Sequence, residues 1–507
     1  MFSSILSAAI SGVNCVPVRV EADVSNGLPL FSMVGYLSTR VKEAQDRVCT
    51  ALRNSGFSLP AKRVTVNLSP ADIRKEGTGF DLPIAAALLC SFGSLDKEQV
   101  RGVCMAGELS LNGEVKGIRG ILPIVEAAIK CGCKLCVIPK ENLKETEFLD
   151  TIPILGVESL DEAMACAKKP GWGAKKNPPR VWENQEEEPE EDFSDILGQE
   201  AAKRAAVIAA AGFHNLLFIG ARGSGKTMIA SRIPGIFPGL SREEGLEISG
   251  IYSAAGLLSG ENPILYKRPF RQPHHTISPK AMAGGGRIPQ AGEITLAHRG
   301  VLFLDELPEF SRAALETLRQ PLEAHKICIS RINGTYEFPA DFLLVAAMNP
   351  CPCGYYPDRN RCSCTDGEVS RYLGRISGPL LDRFDLCTEV KDVSADQLWN
   401  RKKGSTSLQI RREILRVHNI QKERYRNCGV SFNGSLSGKD VEVYCQTDRE
   451  GERLLKKAYE KMNLSMRGYH KILKTARTIA DLDNEERIQE KHVAEAVFYR
   501  NLDNKYR

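Results

Sequence analysis

Apolar residues in this chain fall into three rhythms. Leu216-Leu-Phe-Ile219, Val301-Leu-Phe-Leu304 and Phe342-Leu-Leu-Val-Ala-Ala-Met348 are unbroken runs. Short runs without alternation fit strands buried on both faces of a parallel sheet. Val16–Val24 alternates as a strand does, and Arg63–Leu68 and Lys134–Pro139 predict two further strands. Asn26-Gly27, just past the alternating run, predicts a hairpin turn. The helical rhythm first appears over Ser38–Asn54, where Val41, Ala44, Val48, Ala51 and Leu52 share a face. Asp81–Leu89 reads as a buried helix, and Ala201–Ala211 as a helix of small residues leading to Leu216. Near the end, Leu408–Arg424, Ala458–Asn463, His470–Ala480 and Lys491–Tyr499 carry the helical period.

These rhythms divide the chain. Residues 1–168 predict an α/β domain with mixed strands, and 194–395 an α/β unit around a parallel sheet. Residues 396–507 predict a helical lid rich in Lys and Arg. Between the first two lies 169–193, with Pro170, Pro178-Pro179 and the acidic run Glu183–Asp192. Low hydrophobicity and a block of like charge predict a flexible linker, either a solvated tether or an acidic decoy for a basic site.

Composition narrows the class. A chain of 507 residues with 42% apolar and 26% charged residues is that of a globular protein of several domains. No apolar run reaches the roughly 18 residues of a membrane span, so no membrane partner is expected. Met1–Ser7 lacks the basic start of a secretory signal, and the expected location is the cytoplasm. A net charge of +5 is too mild to identify a nucleic-acid partner. Most of the sixteen cysteines, such as Cys49, Cys90, Cys104 and Cys166, stand singly among apolar residues and read as reduced core residues.

Chemistry concentrates after Leu216. Gly220-Ala-Arg-Gly223-Ser224-Gly225-Lys226-Thr227 follows an apolar run and precedes a helical stretch, the setting that makes this spacing a phosphate-binding P-loop. Its glycines let amides converge on a phosphate, and the helix N-terminus adds positive charge. Lys226 is predicted to reach the β/γ-phosphates of ATP and Thr227 to hold Mg²⁺. Val301–Leu304 ends in Asp305-Glu306, at the sheet edge where ligands bind, so Asp305 is expected to support Mg²⁺ and Glu306 to polarise the attacking water. Asn349 ends the next core strand and can orient that water or sense the γ-phosphate.

Arg383 offers the charged fork of a finger reaching a neighbouring subunit's nucleotide, or else a surface ion pair with Asp382 or Asp385. Arg467 opens the lid's third helix and either contacts nucleotide or solvates the helix end. Cys351-Pro-Cys353 and Cys362-Ser-Cys364 on a Pro- and Gly-rich loop supply the four thiolates of a tetrahedral Zn²⁺ site. His274-His275 is an adjacent pair, unsuited to chelating one ion, and reads as a polar contact. Lys326–Phe338 reads as strand, Asn-Gly turn and strand. This hairpin either presents Lys326 and Arg331 to phosphates or packs on its own sheet. Arg268, Arg271, Lys280 and Arg287 add charge just upstream.

Two resemblances follow from these residues. Lys75–Leu89, with Gly107-Glu-Leu-Ser-Leu-Asn-Gly-Glu-Val115 after it, resembles the Lon-protease-like fold. The serine place falls at Gly79 and the lysine place near Leu122–Ile124, so the resemblance implies a non-proteolytic domain, even with Thr78 as a stand-in hydroxyl. The P-loop, paired acids, Asn349, Arg383 and Arg467, in that order, resemble an AAA+ ATPase: an α/β P-loop core with a helical lid. The Pro-His274-His275-Thr-Ile-Ser, Gly-Glu293-Ile-Thr-Leu-Ala-His298-Arg-Gly and Met-Asn-Pro-Cys-Pro-Cys-Gly354 stretches are similar to the magnesium-chelatase-like ComM/YifB family over nearly the whole chain. That resemblance implies a homohexamer that drives branch migration of DNA with ATP during natural transformation. A chelatase-like motor that remodels a protein partner for metal insertion is the alternative.

Overall fold

The computed structural model describes residues 1–168, 182, 191–258, 263–287, 289–331, 334–392 and 404–505; most of the expected linker lies outside them. The chain begins with a strand that apolar alternation does not reveal, β1 (Phe2–Ser11). Two of its inward positions, Ser3 and Ser7, are serines, buried beside Ile5. Ser3 Oγ donates to Ala87 O at 2.6 Å and lies 2.8 Å from Ser91 Oγ, so a polar residue is satisfied in an apolar layer. β2 (Asn14–Ser25) pairs antiparallel with β1 from Phe2↔Asp23 to Ser11↔Asn14.

Asn26-Gly27 makes no hairpin. β3 (Leu30–Val34) runs parallel to β4 (Arg63–Ser69), which itself pairs antiparallel with β2. With β1 on one side and β4 on the other, β2 has no edge left for β3. The expected helix over Ser38–Asn54 is interrupted at Glu43, leaving a short turn and α1 (Ala44–Asn54), yet its whole predicted face is buried. α2 (Asp81–Phe92) is buried from Asp81 to Ser91. β5 (Val103–Met105), α3 (Ile121–Lys130), β6 (Leu135–Pro139) and β7 (Ile154–Val157) complete a seven-stranded sheet of order β3-β4-β2-β1-β5-β6-β7.

No peptidase dyad assembles among the described residues of this front domain. A Cβ on Gly79 would meet Ile118 Cδ1 at 2.9 Å, Leu122 and Ile124 are buried apolar residues, and the Thr78 hydroxyl bonds the Glu108 carboxylate instead of an amine. One buried charge does matter for stability. Asp81 is fully buried and takes a two-pronged pair from Arg47, Nε to Oδ2 at 2.8 Å and Nη2 to Oδ1 at 2.9 Å. Arg47→Ala strands that carboxylate and should cost about 3 kcal/mol in chemical denaturation, the low end for a broken buried pair because the Leu109 amide still donates to Asp81.

The second sheet is parallel throughout, in the spatial order Phe270–Arg271, Val301–Leu304, Leu343–Met348, Leu216–Gly220, Leu386–Val390. Its strands are β8 (Leu216–Gly220), β9 (Phe270–Arg271), β10 (Val301–Leu304), β13 (Leu343–Met348) and β14 (Leu386–Val390). Every residue of β10 and β13 is buried, as their unbroken apolar runs require. α4 (Glu200–Gly212) enters β8, α5 (Lys226–Ile236) leaves it, and α6 (Arg242–Ala255) follows. A separate hairpin, β11 (Lys326–Arg331) and β12 (Gly334–Pro339), stands between β10 and β13 in the chain.

Four long helices close the chain: α7 (Ser407–Arg424), α8 (Arg449–Lys461), α9 (Met466–Leu482) and α10 (Glu490–Lys505). They share one apolar core with α4, α5 and the sheet. Their polar anchors meet the end of the sheet where the strands begin. Lys471 on α9 donates to Phe384 O at 2.8 Å and pairs with Asp385 at 3.3 Å, while His214 Nε2 lies 2.7 Å from Thr478 Oγ1. None of the described helices is long and apolar enough to cross a membrane.

Candidate active site

Three neighbouring strands, β10, β13 and β8, deliver the predicted chemistry to one sheet edge. Their C-terminal ends carry Asp305-Glu306, Asn349 and the P-loop in that spatial order. The P-loop bends through Gly223 at φ +76° and Gly225 at φ +94°, with nothing near enough to block a Cβ at either. Backbone conformation, not space, therefore selects glycine there. Lys226 is buried, and its Nζ donates to Gly220 O at 2.8 Å, Ala221 O at 2.6 Å and Asn349 Oδ1 at 3.2 Å. Burial depresses its pKa against the pull of Asp305. Thr227 Oγ1 donates to Asp305 Oδ2 at 2.8 Å, and Asp305 Oδ1 accepts the Glu306 amide at 2.9 Å. Both carboxylate oxygens are thus oriented beside the threonine hydroxyl, a hard oxygen set that suits Mg²⁺. Ser224 Oγ is buried with no hydrogen-bond partner among the described residues, which fits a phosphate oxygen arriving there.

Glu306 takes φ +53°, a left-handed conformation uncommon for a non-glycine residue. Its carboxylate lies 3.9 Å from His275 Nδ1, and its charge, with that of Asp305, is felt at Lys226. His275, expected only as a polar contact, has the expected water-polarising acid as its neighbour. Gln199, another non-glycine residue at positive φ, was missed altogether. Its amide donates to Ser224 O at 3.2 Å and to Lys391 O, tying the P-loop to the end of β14. The Gly198-Gln199 pair before a small-residue helix is the signal that was available.

The two arginines do not join this cluster. Asn215, at the start of β8, donates its side-chain amide to Arg383 O at 3.0 Å, whereas Lys226 lies just beyond the strand's far end. Arg383 pairs with Glu323, not with Asp382 or Asp385, and its buried Nε has no partner among the described residues. Arg467 is exposed in the first turn of α9, one turn before Lys471, and so belongs to the Arg383 end of the sheet.

The hairpin differs from expectation in two ways. Gly334, expected in the turn, is paired opposite Arg331 at the start of β12; residues 332 and 333 of the expected turn lie outside the described residues. Its root also packs outside its own sheet: Ile327, Ile329 and Phe338 are buried with Val13, at the β1–β2 turn of the front domain. Lys326 sits at the root, paired with Glu337 at 2.9 Å, while Arg331 lies at the other end and donates to Gly286 O at 3.3 Å. Of the upstream basic residues, Arg268 is structural: it is buried, pairs with Glu244 at 3.2 Å and donates to Arg299 O at 2.8 Å. Arg271 forms a fork with Glu293. Lys280 and Arg287 remain exposed, and a Cβ on Gly285 would lie 3.6 Å from both Arg331 Nη2 and Lys280 Cγ. The sulfur atoms of Cys351, Cys353, Cys362 and Cys364 all lie within 4.8 Å of one another.

Comparison with known proteins agrees with this geometry. The profile described as magnesium chelatase, subunit ChlI, matches residues 192–398; the profiles for subunit ChlI of Mg-chelatase and for its C-terminal part match 20–142 and 404–500. The chain is 44% identical to competence protein ComM of Haemophilus influenzae, over 98% of this chain and 97% of that one. It is 42% identical to the YifB protein of Escherichia coli, over 99% and 97%. Lon protease 2 of Bacillus subtilis is 31% identical over 24% of this chain and 22% of its own. With a P-loop, paired acids and a polar strand end assembled on a parallel sheet, and relatives matching end to end, the chain belongs to the ComM/YifB family of magnesium-chelatase-like AAA+ ATPases.

Proposed function

We propose that this protein is the subunit of a homohexameric motor that hydrolyses ATP between neighbouring subunits and uses it to drive branch migration of DNA, as a helicase acting in natural transformation. The observation that carries the reading is the split of the catalytic set. Lys226, Thr227, Asp305, Glu306 and Asn349 meet at one end of the sheet, while Arg383 and Arg467 stand at the other. A ring brings one subunit's arginines to the next subunit's nucleotide.

Gly220, Gly223, Ser224 and Gly225 cradle the phosphates of ATP, and Lys226 exchanges its two carbonyl acceptors for phosphate oxygens. Thr227 and Asp305 would hold Mg²⁺, which would supply neutralisation of developing phosphoryl charge. Glu306 orients the attacking water and accepts its proton, and Asn349 fixes the geometry from the adjacent strand. Zn²⁺, held by the four clustered cysteines, is the third cofactor of this reading.

The DNA half is supported by Arg331, Lys280 and Arg287 at the exposed end of the hairpin, and by a relative that carries the name competence protein. Its test is the ATPase rate with and without four-way or forked DNA across several salt concentrations. Branched DNA should raise the rate, and the stimulation should fade as salt rises, because phosphate contacts release counterions. A brisk basal ATPase with no stimulation at low salt would reject the DNA motor and favour a chelatase-like motor acting on a protein partner.

A further inference from the structure

The cysteine loop backs directly onto the P-loop. It leaves β13 at Asn349 and returns through the helix Asp366–Leu373. Gly354, at φ +90°, lies where an added Cβ would be 3.6 Å from Arg222 N and 3.9 Å from Ala221 Cα, both in the tip of the phosphate cradle. On the loop's far side Arg361 pairs with Asp392 at 3.1 Å, just beyond the Lys391 carbonyl that Gln199 holds. The loop thus touches the P-loop tip, follows the γ-phosphate-facing Asn349 and is tied to the end of β14.

The cluster at its heart has the dimensions of a metal site. Cys351 and Cys353 sulfurs are 3.3 Å apart, Cys351 and Cys362 3.8 Å, and Cys353 and Cys362 3.5 Å. Four sulfurs at tetrahedral angles about 2.3 Å from zinc stand about 3.8 Å from one another. The amides of Gly354 and Tyr356 donate to Cys351 Sγ at 3.2 and 3.4 Å, the kind of contact that favours a thiolate ligand. Cys351 and Cys362 are buried and Cys353 and Cys364 half-buried, and among the described residues their own cluster adds only Val369, Tyr356 and Leu373, the last two of which also lean on the main core. So small a core holds a loop of this length poorly without a cross-link.

We propose that Cys351, Cys353, Cys362 and Cys364 bind one zinc ion, and that the ion makes the loop a rigid strut behind the P-loop, so that nucleotide affinity depends on a metal that does not touch the nucleotide. The strut, though not the zinc site, rests on the reading of Gly220–Thr227 as an ATP cradle.

The test uses the full chain, purified without a histidine tag. Elemental analysis should give about one zinc per chain. Cobalt(II) added to reduced, metal-stripped protein should give the sulfur-to-cobalt charge-transfer and intense visible bands of a tetrahedral tetrathiolate. Protein that holds no zinc and gives no such cobalt spectrum would overturn the site. Stripping wild-type protein should weaken binding of a fluorescent ATP analogue by about tenfold, and adding zinc back should restore it. The double variant Cys362→Ser/Cys364→Ser should lose zinc and show the same weakening, with the stripped wild type as a check that does not depend on the variant's folding. Zinc loss with unchanged affinity would overturn the strut and leave the site standing. Zinc-replete wild type that binds no analogue would instead overturn the ATP reading, and the strut with it.

Discussion

Glu306→Gln should bind ATP and fail to hydrolyse it. The Lys226 amine and the Thr227 hydroxyl donate to groups other than the Glu306 carboxylate; that carboxylate lies 3.9 Å from His275, and its backbone amide is what engages Asp305. Glutamine keeps the shape and the amide contact but removes the basic oxygen. Turnover should fall by roughly 10²–10⁴, the usual contribution of a positioned general base. Affinity for a fluorescent ATP analogue should stay within about twofold, well below the tenfold that 1.4 kcal/mol would produce. Asp305→Asn should behave differently, because Asp305 orients the Thr227 hydroxyl with one oxygen and the Glu306 amide with the other. It should lose nucleotide affinity with a marked magnesium dependence. A Glu306→Gln protein that retained more than about a tenth of wild-type turnover would remove Glu306 as the base.

The nucleotide site was legible because its chemistry is local. Each of its groups follows a strand whose apolar run is unbroken, and a parallel sheet places such strand ends together whatever the intervening loops do. Asp305, Asn349 and Lys226 therefore needed only their own neighbours in sequence to be recognised. Features made by distant partners were not legible. β1 escaped because Ser3 and Ser7 occupy inward positions, and Ser3 is satisfied by Ala87 and Ser91 some eighty residues away. Asn26-Gly27 has the chemistry of a hairpin, but pairing of β2 with β4 decides where β3 goes. Arg268 and Arg271 carry the charge of a DNA surface in sequence; in the fold Glu244 and Glu293 neutralise them. Gln199 needed knowledge that Lys391 comes back beside Ser224.

The placement of the lid is the other thing that sequence order obscured. Arg467 is expected from sequence either to contact nucleotide or to solvate the helix end. Docking of α9 through Lys471 onto Phe384 and Asp385 carries it to the opposite end of the sheet. Under the proposed ring, any nucleotide contact it makes would belong to a neighbouring subunit, as the proposal also requires of Arg383.

Arg383→Ala should lower ATP turnover by roughly 10³-fold or more, as loss of an arginine finger does, and mixing should rescue it. The Arg383 carbonyl is held by Asn215 before the first residue of β8, and Lys226 follows the last. That strand alone spans roughly 16 Å at about 3.3 Å per residue, far beyond the reach of an arginine side chain. Arg383 also keeps unspent hydrogen-bonding capacity: it pairs with Glu323, which is largely exposed, and its Nε has no partner among the described residues. Arg383→Ala and Glu306→Gln subunits are each inactive alone. Mixed one to one, about a quarter of the interfaces in a cyclic ring join an intact Glu306 to an intact Arg383 from its neighbour. Turnover should rise toward that fraction of wild type. The same mixture with Arg467→Ala in place of Arg383→Ala should recover in the same way if α9 serves the neighbouring site. Arginines that act within their own subunit would give no recovery at any mixing ratio, because no subunit in the mixture would then hold a complete set.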